Sequence, residues 1–187
     1  MKILNNMNIS NYYRHFYRVI KHKKEVLKIC WKIGLYWRGL VHDLSKFHYK
    51  EFIESSKYYD KKISPIPLCK LDKGYSKAWQ HHHGHNDHHF EYWIDYNKGK
   101  IEPIKMPFEC MLEMIADWLA AQKTYNGIID YKKELEWFNN TKHNFIIHPV
   151  TLQFTEDILI TLNAGLLTLG FIKKHYNEIK ELYNGTV

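Results

Sequence analysis

The chain has 187 residues, 45% hydrophobic and 25% charged with 9 Gly and 5 Pro, which excludes a disordered or collagenous chain and favours one domain with one core. A net charge of +7 favours anionic partners, such as nucleotides or nucleic acid, without choosing between them. The longest uncharged apolar run, residues 158–172, is shorter than the roughly 20 residues of a membrane helix, so no span is expected.

The opening "MKILNNMNIS" has no apolar h-region and no small-residue cleavage site, and so reads as the start of a cytoplasmic protein. Residues 11–33 repeat Phe16, Val19, Ile20, Val26, Leu27, Ile29, Cys30 and Ile33 at spacings of three and four, with lysines opposite; this predicts an amphipathic helix from an N-cap at Ser10 to a stop at Gly34. A shorter helix is expected over 35–47, ending near His42-Asp43, and a third over 49–59. Residues 60–74, with Pro65, Pro67 and Gly74, lack a period and read as a surface loop able to act as a lid. A 3.6 period returns over 75–94 and places the histidine run on a helix. Gly99, Pro103 and Pro107 mark a second break over 97–107, before a strong helix from Phe108 to about Thr124. Further helices are expected over 131–141, 151–166 and 170–183, and "NFIIHPV" at 144–150 resembles a strand. The fold class is all-α, without repeats. Cys30, Cys69 and Cys110 are far apart and form no CxxC pair, so buried reduced thiols are expected.

No GxGxxG, GxxxxGK[ST], GxSxG or HExxH motif is present. Histidine is the outlier: there are 13, and six lie in "HHHGHNDHH" at 81–89, a run too interrupted and too internal for a purification tag. On one helix His82, Asn86 and His89 would share a stripe with Tyr75, Trp79 and Trp93, and His81, His85 and His88 a neighbouring one. The stripe between the tryptophans is expected to face inward. Glu113 and Asp117, four apart on an otherwise apolar helix, would be costly to bury without a cation or donors. Mixed imidazole and carboxylate donors suit a hydrolytic metal centre.

Each feature alone has a plainer explanation. His22 sits among lysines on a helix, the HxxxH spacings 81/85 and 85/89 suit an adventitious surface zinc, and Lys21, Lys23, Lys24, Lys28 and Lys32 beside Tyr17 and Trp31 suit a solvated face better than a nucleic-acid contact. Only the ordered set stands out.

Read in order, His22, "HDLSK" at 42–46, the histidine cluster and Asp117 resemble the H…HD…D arrangement of the HD-domain metal-dependent phosphohydrolases. "GLYWRGLVHDLSKF", "AWQHHHGHNDHHFEYW", "MPFECMLEMIADWLAA" and "HPVT" are similar to an uncharacterised bacterial and phage family of HD-like proteins, over roughly residues 14–155. The resemblance implies a single HD-like helical bundle over 1–187, with C-terminal helices 151–184 packing on its core. It implies a metal held by His22, His42, Asp43 and Asp117, with Lys46 facing substrate phosphate. His82 and His89 match the intermediate histidines of binuclear members, with His83 or His88 as alternatives. No GYP motif follows, so cyclic-dinucleotide phosphodiesterases of the HD-GYP type are not indicated.

The expectation is therefore a phosphohydrolase using one or two divalent ions (Mn, Fe, Co, Ni, Zn or Mg) on a nucleotide or other small phosphoester. Asp43 would bridge metals or orient water, Lys46 would offset phosphate charge, and Glu113 would be a general base or the partner of a ligating histidine. Asn86 and Trp79 are candidate substrate contacts; Trp37, Tyr75 and Trp93 could also stack a base. The alternative is a non-catalytic, metal-stabilised protein that binds a nucleotide or a partner protein.

Overall fold

A computed structural model describes residues 9–186; the reading of the N-terminal segment before residue 9 lies outside the described residues. The fold is all-α apart from one small hairpin. Helix α1 spans Ile9–Ile33, so Ser10 lies within it and not at its cap, and it buries the stripe Val19, His22, Val26, Ile29, Cys30 and Ile33. It ends at Gly34, whose φ of 90° favours glycine. Helix α2 (Tyr36–Val41) folds back onto α1. A Cβ at Gly39 would stand 2.7 Å from that of Cys30, so glycine is what permits the close approach.

The expected second helix stops before the His-Asp pair because Asp43 adopts a left-handed conformation (φ 54°), after which Leu44–Phe47 form a 3-10 turn. Such a backbone costs of order 1–3 kcal/mol in a non-glycine residue and needs a compensating reason. Lys23 braces the turn by donating from Nζ to the carbonyls of Leu40 (2.6 Å) and His42 (2.7 Å).

Helix α3 (Tyr49–Lys57) is followed by α4 (Pro65–Lys73), where a loop was expected. Pro65 occupies the first turn of α4 and Gly74 its left-handed terminus, so the residues read as loop punctuation are helix caps. Helix α5 (Lys77–His85), capped by Ser76 Oγ accepting from Trp79 N at 3.0 Å, packs on α3. The histidine helix therefore ends at His85 and does not run to 94. Asn86 is extended, and its Nδ2 donates to the carbonyl of His82 at 2.6 Å, satisfying a group the helix end leaves open. A 3-10 turn at Phe90–Tyr92 leads into strands β1 (Ile94–Asn97) and β2 (Lys100–Pro103), joined through Lys98 and Gly99, both at positive φ. The second expected break is thus mostly hairpin.

Helix α6 (Phe108–Asn126) is the central element, buried on nearly every side, with α1 packed along it. Helices α7 (Tyr131–Thr141) and α8 (Pro149–Asn163) pair with one another. The strand-like segment 144–150 forms no strand; it links them, and His148 and Pro149 begin α8. The last expected helix divides at His175 into α9 (Leu169–Lys174), which packs on α1, and α10 (Tyr176–Gly185), which packs on α6. Tyr183 locks α10 down by donating to the Met106 carbonyl at 2.6 Å and meeting Thr151 Oγ1 at 2.9 Å. The three cysteines are free and buried. Among the described residues no helix is long and apolar enough to cross a membrane.

Candidate metal centre

The two longest helices supply opposite walls of one buried site. His22 of α1 meets Asp117 of α6, Nε2 to Oδ1 at 2.8 Å. Because α2 breaks at the left-handed residue, consecutive side chains turn to the same point, and His42 Nε2 stands 3.0 Å from Asp43 Oδ2. From the other side, His82 of α5 and His88 of the following loop each place Nε2 3.4 Å from Asp43 Oδ1, and the His89 ring meets the first edge-on and lies tilted against the second.

Two groups of donors share Asp43, namely His22, His42, Asp43 and Asp117, and Asp43, His82, His88 and His89, while His42, His88 and Glu113 form a third. Within each, the donor atoms lie within 4.8 Å of one another. One carboxylate oxygen, Oδ2, faces His22 and His42; the other, Oδ1, faces His82 and His88. Donors held at roughly 2.0–2.2 Å by one ion would sit about 3–3.6 Å apart, close to these separations. Nε2 of His22, His42, His88 and His89 and both Asp43 oxygens are buried without hydrogen-bond geometry to any partner among the described residues. A cation, or a pair of them, would satisfy all of these atoms together, so the residues fit a dinuclear metal site.

Carboxylates behind the histidines fix their orientation. Glu113 Oε1 lies 2.7 Å from His42 Nδ1 and 3.4 Å from His88 Nδ1, while Glu51 Oε2 lies 2.8 Å from His82 Nδ1. With Nδ1 engaged, Nε2 is the nitrogen left for a metal. Burial pushes His22 down, helped by the Lys46 charge; it pushes His88 to about 3, helped by His42; and it holds His89 well below the usual range, helped by His88 and His82. These are the neutral imidazoles that metals bind. For Asp43, burial is outweighed by His42, Lys46 and His82, and for Asp117 by the adjacent His22 and His42 rings, so both stay well below the carboxylate norm. His42 goes the other way: burial is overcome by Asp43, Asp117 and Glu113, which favour a positive charge at this ring, and a metal ion on Nε2 would take the place of that proton.

A cavity of about 370 Å³ opens beside the centre and reaches His22, His82, His89, Asp117 and Lys46. Trp79, Trp118, Trp137 and Phe145 also line it, together with charged residues such as Arg18 and Glu91.

Residues 11–161 match the model of a family of unknown function, DUF5662. The chain belongs to that family. No curated protein and no solved structure matches it. Every donor named above, from His22 to Asp117, lies inside the DUF5662 segment, as do the orienting carboxylates, whereas α9 and α10 lie beyond it.

Within this DUF5662 chain the residues singled out in the sequence are placed as follows. His22, His42, Asp43, His82, His89 and Asp117 all converge. Lys46 lies at the cavity, its Nζ 2.5 Å from Asp43 Oδ2. Glu113 has Oε1 directed to histidines and Oε2 to Arg38, and it does not line the cavity, so its contacts support the orienting role and not that of a base. Asn86 does not reach the cavity either; it donates to Ser45 Oγ at 2.7 Å and to the His82 carbonyl, bracing the end of α5. His88, expected at the rim, is 2% exposed and inside the centre, because the chain leaves the helix at Asn86. His81 and His85 do stay outside: His81 bonds Glu51 at 2.6 Å and His85 its own helix at 2.7 Å. Trp79 lines the cavity, but Trp37 and Tyr75 are exposed and Trp93 packs on the core, so those three stack nothing there. Trp118, Trp137 and Phe145 were not singled out as cavity residues; they come from α6, α7 and the link after it, and no short-range pattern joins them.

Proposed function

We propose that this protein is a metal-dependent phosphohydrolase of HD type that cleaves a nucleotide or another small phosphoester. The observation that carries the reading is the division of the Asp43 carboxylate: one oxygen faces His22 and His42 and the other His82 and His88, with Nε2 of His22, His42 and His88 buried and unpartnered, beside a cavity. Divalent ions in such a site would lower the pKa of water and offset charge on a phosphoryl group. Asp43 holds the two donor groups together, and its left-handed backbone is explained by that task. Lys46, beside Asp43 and at the cavity, supplies positive charge to an incoming phosphate. Trp79, Trp118 and Trp137 offer flat apolar surface to a base or another aromatic leaving group. The buried, unpaired thiols fit a reducing compartment, the cytoplasm.

Four protein donors per ion would also suit a closed structural site in a non-catalytic binding protein. The cavity reaching His22, His82, His89 and Asp117 favours an open one. The test is elemental analysis of the purified chain, then phosphate release from a nucleotide and phosphoester panel with Mn²⁺, Mg²⁺, Co²⁺ or Ni²⁺. Bound metal with metal-dependent release supports the reading; bound metal with no turnover on any ester would favour the binding protein.

A further inference from the structure

Behind His42 and His88, on the side away from the cavity, one guanidinium joins three segments. Arg38 of α2 directs Nε to Glu113 Oε2 on α6 and Nη2 to Asp87 Oδ1 in the loop after α5, with Nη1 3.4 Å from Asp87 Oδ2. Glu113 turns its other oxygen to His42 and His88. Asp87 immediately precedes His88 and His89 and is tied down twice more: its carbonyl accepts from Trp93 Nε1 at 2.6 Å, and its Oδ2 accepts from Cys110 Sγ at 3.4 Å. The Arg38 carbonyl accepts from the His42 backbone N at 2.8 Å, so the same residue also holds the His-Asp turn.

A loop is a poor place to fix ligands unless something ties it to rigid elements. We infer that Arg38 and Asp87 are positioning residues for the metal centre. Through Glu113 they set the His42 and His88 rings with Nε2 toward the ions, and through Asp87 they hold the His88-His89 segment in place before any ion binds. Only a planar fork can reach both carboxylates at once, which is why arginine stands here and lysine would not replace it fully. This inference rests on the metal-centre reading and goes beyond it, since neither residue touches an ion or the cavity.

The experiment is titration of the metal-free, full-length chain with Co²⁺, followed by calorimetry and visible absorption, with circular dichroism as a check on folding. Arg38→Ala should weaken both ions by roughly 10–100-fold and alter the absorption bands, and Arg38→Lys should restore part of the loss. Asp87→Asn should weaken chiefly the ion of His82, His88 and His89, by roughly 10-fold, and leave the other within about twofold. If Arg38→Ala does not fold, Asp87→Asn decides. Wild-type binding of Co²⁺ with unchanged affinity and spectrum in the folded variants would overturn the inference while leaving the metal centre standing. No Co²⁺ binding by the wild type would overturn both.

Discussion

The two halves of the centre are built differently. His22 and Asp117 project from long helices packed against each other in the core, so their positions follow from helical periodicity and close packing. His88 and His89 are neighbours on a short non-helical segment, and they reach the same centre only because Asn86 ends α5 and Asp87 is anchored behind them. A donor set carried by packed helices is rigid by construction, whereas one carried by a loop depends on polar supports. Asp43 belongs to both sets.

The largest effect is expected where the sets meet. Asp43→Asn keeps a residue that tolerates the left-handed backbone, so the chain should fold. It should nevertheless lose both ions and reduce phosphate release by more than the roughly 100-fold upper range of orienting residues. Circular dichroism, metal content and turnover check this together.

Separating the halves comes next. Asp117→Asn should remove the helix-borne ion and His89→Ala the loop-borne one, each halving metal content in elemental analysis. His85→Ala, exposed and bonded within its own helix, should leave content and turnover unchanged.

Metal removal should then show as stability. An ion present at about 100 times its Kd adds about 2.7 kcal/mol, which for a chain of this length is roughly 5–10 °C in Tm. Chelation should lower Tm by about twice that amount in the two-ion wild type, as calorimetry would show, and by about that amount in His89→Ala, which has one ion to lose.

The smallest effect concerns Glu134 of α7, whose carboxyl is pushed up to about 7 by burial and by the Asp117 charge. Its folded value exceeds its ordinary one of about 4.5, so the protonated form is the stabilising one: its contribution is full below about pH 4.5 and is lost as pH rises through 7. Glu134→Gln should therefore match the wild type near pH 4.5 and exceed it by about 1–3 kcal/mol above pH 7, as denaturant unfolding would show.

The first donor group was legible in the sequence by two routes: the Glu113/Asp117 pair from its spacing of four on a helix, and His22 and His42-Asp43 from their order, which resembles H…HD…D, although the His-Asp pair sits on a turn. The loop-borne half was only partly so. Treating 75–94 as one helix turned His82 and His89 inward, where the structure has them, but sent His88 to the rim, since a periodicity argument cannot see Asn86 turning its amide back on the His82 carbonyl. Pro65 and Gly74 misled for a related reason, as the same residues punctuate loops and cap helices. Arg38 and Asp87 had a faint signal, one lying four residues before His42 and the other adjoining His88, but a link through Glu113 is a tertiary fact. The aromatic wall is likewise assembled from distant segments.

Electron paramagnetic resonance of the Mn²⁺-loaded full-length chain shows whether Asp43 joins two ions. Ions bridged by one carboxylate would lie about 3.5–4 Å apart. An exchange-coupled multiline spectrum is expected at two Mn²⁺ per chain, lost in Asp43→Asn. Uncoupled six-line Mn²⁺ at full loading, or a coupled signal that survives in Asp43→Asn, would contradict it.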